Sequence, residues 1–186
     1  MSAHERRIVD FLSRPRSYPH PVGTIERRET HVSHVFLAGA FAYKLKKPVT
    51  FPFLDASTLA RRKTFCRLEL SLNRRLAPDV YLGMVPITET PAGLRLGGSG
   101  RVVEWLVKMR RLPEARMLDR LVARRRVTRR HMHAIADVLT RFFHRATRSR
   151  SITRYGTPDR VRALVLGNLQ ECHPFIGRLL SEADRT

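Results

Sequence analysis

Cysteine is nearly absent. The 186 residues hold two, Cys66 and Cys172. They form neither a disulfide framework nor a zinc-ligand pattern. No apolar run approaches the length that crosses a bilayer. The opening Met1-Ser2-Ala3-His4-Glu5-Arg6-Arg7 leads only to Ile8-Val9-Asp10-Phe11-Leu12, which is not a signal peptide. These absences point to the cytoplasm and away from a membrane partner. Acidic residues are scarce, 16 against 36 basic ones, for a formal charge of +20. Lysine is scarce as well. It stands only at 44, 46, 47, 63 and 108, and the other 31 basic residues are arginine.

A charge of this size directs attention to nucleic acid or another polyanion. Arg124-Arg125-Arg126, Arg129-Arg130 and the basic stretch 145–154 would be its footprint. The arginines are nevertheless spread over nearly every segment. A GC-rich coding sequence produces the same bias without an anionic partner, and a solvated helix face is the plain alternative for each run. A content of 42% hydrophobic and 28% charged residues suits a globular fold of one or two domains.

The chain changes character near residue 112. Before it, apolar periodicity predicts a helix over 4–14 and strands over 22–28, 29–37 and 41–47. Asp55-Ala56-Ser57 offers a helix N-cap. The helix from 58 to 76 is the clearest in the chain, with Phe65, Leu68, Leu72 and Leu76 on its apolar side and Leu59, Cys66 and Leu70 widening it. Glu69 falls near the middle of that arc, where a carboxylate is costly unless it is paired. Strands follow over 81–87 and 102–109, with a glycine-rich hairpin region over 93–100. Beyond Pro113 everything reads as helix: 117–125, 128–146, one opened by Thr157-Pro158, and a last one over 175–183.

The strand Phe41-Ala42-Tyr43-Lys44-Leu45-Lys46 puts Ala42, Lys44 and Lys46 on one face and Phe41, Tyr43 and Leu45 on the other. A small residue two positions before a lysine leaves room for a flat base while the lysine reaches phosphates. The alternative is an edge strand with solvated lysines. Other chemistry has little support. His131 and His133 stand two apart on a helix and point to different sides. Cys172-His173 precedes a proline and reads as structural, and Ser33 and Ser57 adjoin no base in a nucleophile motif.

Three stretches carry a resemblance: Glu29-Thr30-His31-Val32-Ser33-His34-Val35-Phe36-Leu37, Ala42-Tyr43-Lys44-Leu45-Lys46-Lys47-Pro48-Val49 and Phe53-Leu54-Asp55. With Glu69-Leu70, Leu72-Asn73-Arg74-Arg75-Leu76-Ala77-Pro78, Val85-Pro86-Ile87 and Val107-Lys108-Met109-Arg110-Arg111, they resemble the N-terminal region of bacterial aminoglycoside-phosphotransferase-like proteins. Many of these carry a P-loop ATPase domain downstream. The likeness is weaker at Leu118-Asp119-Arg120-Leu121 and Phe143-His144.

The resemblance implies an α+β, protein-kinase-like fold. Residues 1–112 would be the N-lobe, an antiparallel sheet with one inserted helix. Residues 113–186 would be an incomplete helical C-lobe. It further implies a site that binds ATP with Mg2+. Lys44 would contact phosphates, Ala42 would lie under the adenine, and Glu69 would pair with Lys44. Met109 and Arg110 would begin the hinge over 109–112, where backbone meets the adenine edge. In the intact family the second substrate is a small hydroxylated acceptor.

The family's chemistry also needs a catalytic carboxylate, and an asparagine and a second aspartate for the metal. None of Asp10, Asp55, Asp79, Asp119, Asp137, Asp159 and Asp184 sits in such a motif, and the glycine-rich phosphate loop of protein kinases is absent near Ser33 and His34. No catalytic residue is therefore assigned, and the expectation is a catalytically incomplete, nucleotide-binding portion: a fragment, a frameshift product or a degenerate relative. A basic, non-catalytic polyanion-binding module is the alternative. A half-built helical lobe would leave apolar surface on 135–143 and 161–169, favouring self-association.

Overall fold

The computed structural model describes residues 1–177, so the helix expected over 175–183 falls mostly outside the described residues. The chain divides into two compact units, residues 1–139 and residues 140 onward. The first is mixed α+β. It opens with α1 (Ala3–Leu12), capped by the Ser2 hydroxyl, which accepts from the Glu5 amide. Six strands build one antiparallel sheet: β1 (Ile25–Glu29), β2 (Ser33–Ala38), β3 (Phe41–Lys46), β6 (Tyr81–Thr90), β7 (Gly93–Leu96) and β8 (Arg101–Arg110). Their order across the sheet is β1-β2-β3-β8-β6-β7. Two short strands, β4 (Thr50–Phe51) and β5 (Leu54–Asp55), pair with each other outside it.

β2 and β3 form a hairpin in which Leu37 opposes Ala42 and Val35 opposes Lys44. Gly39 makes the turn with a φ of +58°, and a Cβ there would come within 2.9 Å of the Pro21 carbonyl oxygen. The chain then leaves the sheet for α2 (Leu59–Asn73) and returns through β6 and β7 to β8, which lies beside β3. α2 packs against β8 and β6.

The two faces of the sheet differ in chemistry. On one, Ile8, Val9 and Leu12 of α1 meet Phe36, Tyr43, Leu45, Ile87 and Leu106 in the main apolar core. Tyr18 joins them and donates its hydroxyl to the Leu12 carbonyl at 2.6 Å. The other face, under α2, sets Lys44, Lys46 and Glu104 among apolar residues such as Val35 and Val107. The residues that α2 buries are Arg62 and Cys66, while Leu68, Leu72 and Leu76 are exposed. This corrects the apolar arc expected for the helix. The packed stripe runs through 62, 66 and 69, because each charge on it finds an opposite charge on the sheet. The helix cap also differs. Thr58 accepts from the Arg61 amide, while Asp55 makes a local turn with Ser57.

After β8 come α3 (Leu118–Ala123) and α4 (Arg129–Arg145), with the boundary between the units falling inside α4. In the second unit, α5 (Arg150–Thr153) is a short helix within the stretch expected to be a basic loop, and α6 (Pro158–Cys172) starts at the predicted Thr157-Pro158. No helix among the described residues is long and apolar enough to cross a membrane.

Candidate functional site

A cavity of about 720 Å³ opens on the α2 side of the sheet. Val35, Leu37 and Ala42 form one apolar wall, and Ala77, Val80 and Tyr81 another. Residues 109–114, the last two of β8 and the four after it, close the rim. The size and the mainly apolar lining with a few polar groups are those of a small-molecule site. Ala42 is what keeps the wall flat. It is buried, faces the cavity, and opposes Met109 across the β3–β8 pair.

The alternation of β3 carries the same face on from Ala42 to Lys44, about 7 Å along the strand, and then to Lys46. Lys44 Nζ donates to Glu69 Oε1 at 2.8 Å, and Lys46 Nζ donates to Glu69 Oε2. One carboxylate from α2 thus serves two ammonium groups from β3. Burial pushes the Glu69 carboxyl up, but its bonds to Lys44 and Lys46 outweigh that and hold it below the ordinary carboxylate value. Tyr81 ties the cluster to the cavity: it lines the wall, and burial together with the nearby Glu69 charge raises its phenol.

The structure brings Ala42, Met109 and Arg110 to the cavity and Lys44 to Glu69 beside it. It narrows what the backbone over 109–112, expected to form a hinge, can offer. The Arg110 amide donates to the Val80 carbonyl at 2.8 Å and the Arg111 amide to the Ala40 carbonyl at 2.9 Å. Those bonds fasten the end of β8 and remove both donors from any ligand. The Leu112 amide has no acceptor among the described residues. The Arg110 guanidinium donates to the Asp79 carbonyl rather than across the cavity.

Sequence reasoning missed two features here. The first is Lys46 as a partner of Glu69, although its shared face with Lys44 was legible from strand parity. The second is the buried ion pair behind the cluster. Arg62 of α2 meets Glu104 of β8 at 2.7 Å and also donates to the Ala56 and Ser57 carbonyls. A glutamate inside the apolar run Val102-Val103-Glu104-Trp105-Leu106-Val107 was the signal that a cation had to lie opposite. At the rim, Arg28 of β1 meets Glu114 at 2.8 Å, and Arg120 also donates to Glu114.

Magnesium finds no set of ligands here. The cavity wall offers one carboxylate, Glu114, already shared by two arginines, and Glu69 is held by two lysines. A hard divalent cation needs several free oxygen donors, and this donor set does not fit one.

Fold and site together define an antiparallel α+β domain with an apolar cavity beside a lysine–carboxylate cluster. Over 165 residues the chain is 36% identical to uncharacterized proteins of Mycobacterium tuberculosis, strains H37Rv and CDC 1551, and of Mycobacterium bovis. The match takes in 87% of this chain and 32% of each relative, so the chain spans about a third of the length of the curated relatives it matches. No family model matches the chain. No solved structure matches it.

Proposed function

We propose that this chain is the ATP-binding portion of a kinase-like protein of the aminoglycoside-phosphotransferase type. The observation that carries the reading is the 2.8 Å pair between Lys44, on the third strand, and Glu69, on the helix inserted after it. That is the pair a kinase-like site uses to aim its lysine at phosphates. The cavity beside it supports the same reading. Its flat Ala42 wall suits a purine face, and the Leu112 amide is the donor left for a base edge.

In this reading the adenine lies between Ala42 and the 109–112 segment, and the phosphates extend along β3 towards Lys44. The chain's own residues bind and orient. No residue of this chain is assigned to take a proton from a hydroxylated acceptor or to hold a metal ion. Transfer to a small hydroxylated acceptor is not assigned to these residues; the matched relatives are about three times as long as the matched region.

The test is an ATP titration of the wild type and Lys44→Ala, with and without magnesium. The expected result is measurable binding to the wild type, weakened about tenfold in the variant, as for loss of one charged hydrogen bond. Undetectable ATP binding to both proteins, with salt-sensitive binding to random duplex DNA, would sink the reading. It would favour a polyanion-binding surface built from the exposed Arg124, Arg125, Arg126, Arg129 and Arg130.

A further inference from the structure

Lys44 and Lys46 share Glu69, so the cluster carries one positive charge more than its carboxylate can neutralise. It is also withdrawn from water: the side chains of Lys44, Lys46 and Glu69 are 26%, 14% and 11% exposed. A single lysine would satisfy Glu69. The second is an excess charge in a partly dry place, and it is costly unless an anion answers it. A further polar group faces the same way. Ser33 opposes Lys46 across the β2–β3 pair and so belongs to the same sheet face. It is fully buried, and its hydroxyl has no hydrogen-bond partner.

The two lysines are not equivalent. Lys44 is the more exposed and stands two residues nearer Ala42 and the cavity, whereas Lys46 is deeper, between Ser33 and Glu69. We infer that Lys46 is a positioning residue that holds Glu69 when a polyphosphate draws Lys44 away, so that the cluster is a polyphosphate-binding site charged in advance. The inference rests on the nucleotide reading only for its orientation, since the excess charge exists whatever group carries the phosphates. Its consequence is selectivity. The site prefers the highly charged end of a triphosphate to a nucleoside, and it does so without a metal ion.

The experiment uses the full chain, physiological ionic strength, no magnesium, and inorganic tripolyphosphate and adenosine as separate probes. Wild type, Lys46→Met, Lys46→Arg and a remote control, Arg95→Gln on the exposed side of β7, are compared by calorimetry. Lys46→Met keeps the Lys44–Glu69 pair, and its thermal unfolding checks that it folds. The expected result is a loss of about tenfold in tripolyphosphate affinity for Lys46→Met, near-complete rescue by Lys46→Arg, and no change for Arg95→Gln. Adenosine affinity stays the same in all four. Equal tripolyphosphate affinity in wild type and Lys46→Met overturns the inference, as does a loss as large in Arg95→Gln, which would mark diffuse charge. If adenosine and ATP fail to bind while the tripolyphosphate pattern holds, the nucleotide reading falls and the anion site stands.

Discussion

Glu69 shows how a single side chain can be costly and necessary at once. Burial alone would raise its carboxyl, yet hydrogen bonds from Lys44 and Lys46 hold it below its ordinary value of 4.5. A carboxylate with a lowered folded value contributes stability that is present above its unfolded value and lost as pH falls through the folded one. Wild type should therefore melt above Glu69→Gln at pH 7. The gap in melting temperature should close as the pH falls below about 4.5. A gap unchanged down to pH 3 would mean that the pairing adds nothing to folding. The thiol of Cys66, beneath the same helix, is pushed up to about 12 by burial and is inert at neutral pH.

At the scale of elements, α2 is attached to the sheet by charge more than by apolar contact. Arg62 is its best-buried anchor, at 2.7 Å from Glu104 on β8 with two carbonyls in reach. Arg62→Ala leaves Glu104 buried and unpaired, at a cost of about 3–5 kcal/mol. Replacing both, as Arg62→Met with Glu104→Leu, should recover most of that, because an apolar pair of similar volume has no desolvation cost. Denaturant melts of the three proteins check this. If the double variant is as unstable as the single one, the carbonyl contacts of Arg62 matter more than its charge partner. The helix also shows where pattern reading stops short. Leu68, Leu72 and Leu76 sit at helical spacing and read as a core stripe, but they are exposed. Periodicity places residues on a face without saying which face meets the sheet. The opposing strands decide that, and here they offer Lys44, Lys46 and Glu104.

Across the whole molecule, apolar surface is distributed unevenly. In the first unit the α1 side of the sheet is well buried, while Leu118 and Val122 on α3 and Val138 and Leu139 on α4 are exposed. In the second unit Val161, Leu164, Val165 and Leu169 on α6 are at least half exposed or close to it. Helices that show this much apolar side chain to water tend to associate. We expect sedimentation to find species larger than the monomer, and the pair Leu164→Glu and Leu169→Glu to shift them towards the monomer. A wild type that sediments as a stable monomer at tens of micromolar would contradict this.

Much of the candidate site is legible in the sequence. Strand alternation put Ala42 and Lys44 on one face, which depends only on local backbone geometry, and helical spacing set Glu69 among apolar neighbours and so in want of a cation, although Leu68, Leu72 and Leu76 of that arc are exposed. The same local rules located most elements to within a few residues, the short strands β4 and β5 and the α5 helix excepted. What needed the tertiary structure was everything set by residues distant in sequence. The β3–β8 pairing brings Met109 opposite Ala42, and the two amides after Met109 are taken by Val80 and Ala40. The sharing of Glu69 between two lysines and the meeting of Arg62 with Glu104 likewise depend on how α2 lies on the sheet. Backbone periodicity is a property of neighbours in the chain, so the sequence carries it openly. Which charges face each other across a packed interface is a property of the fold, and only the folded chain decides it.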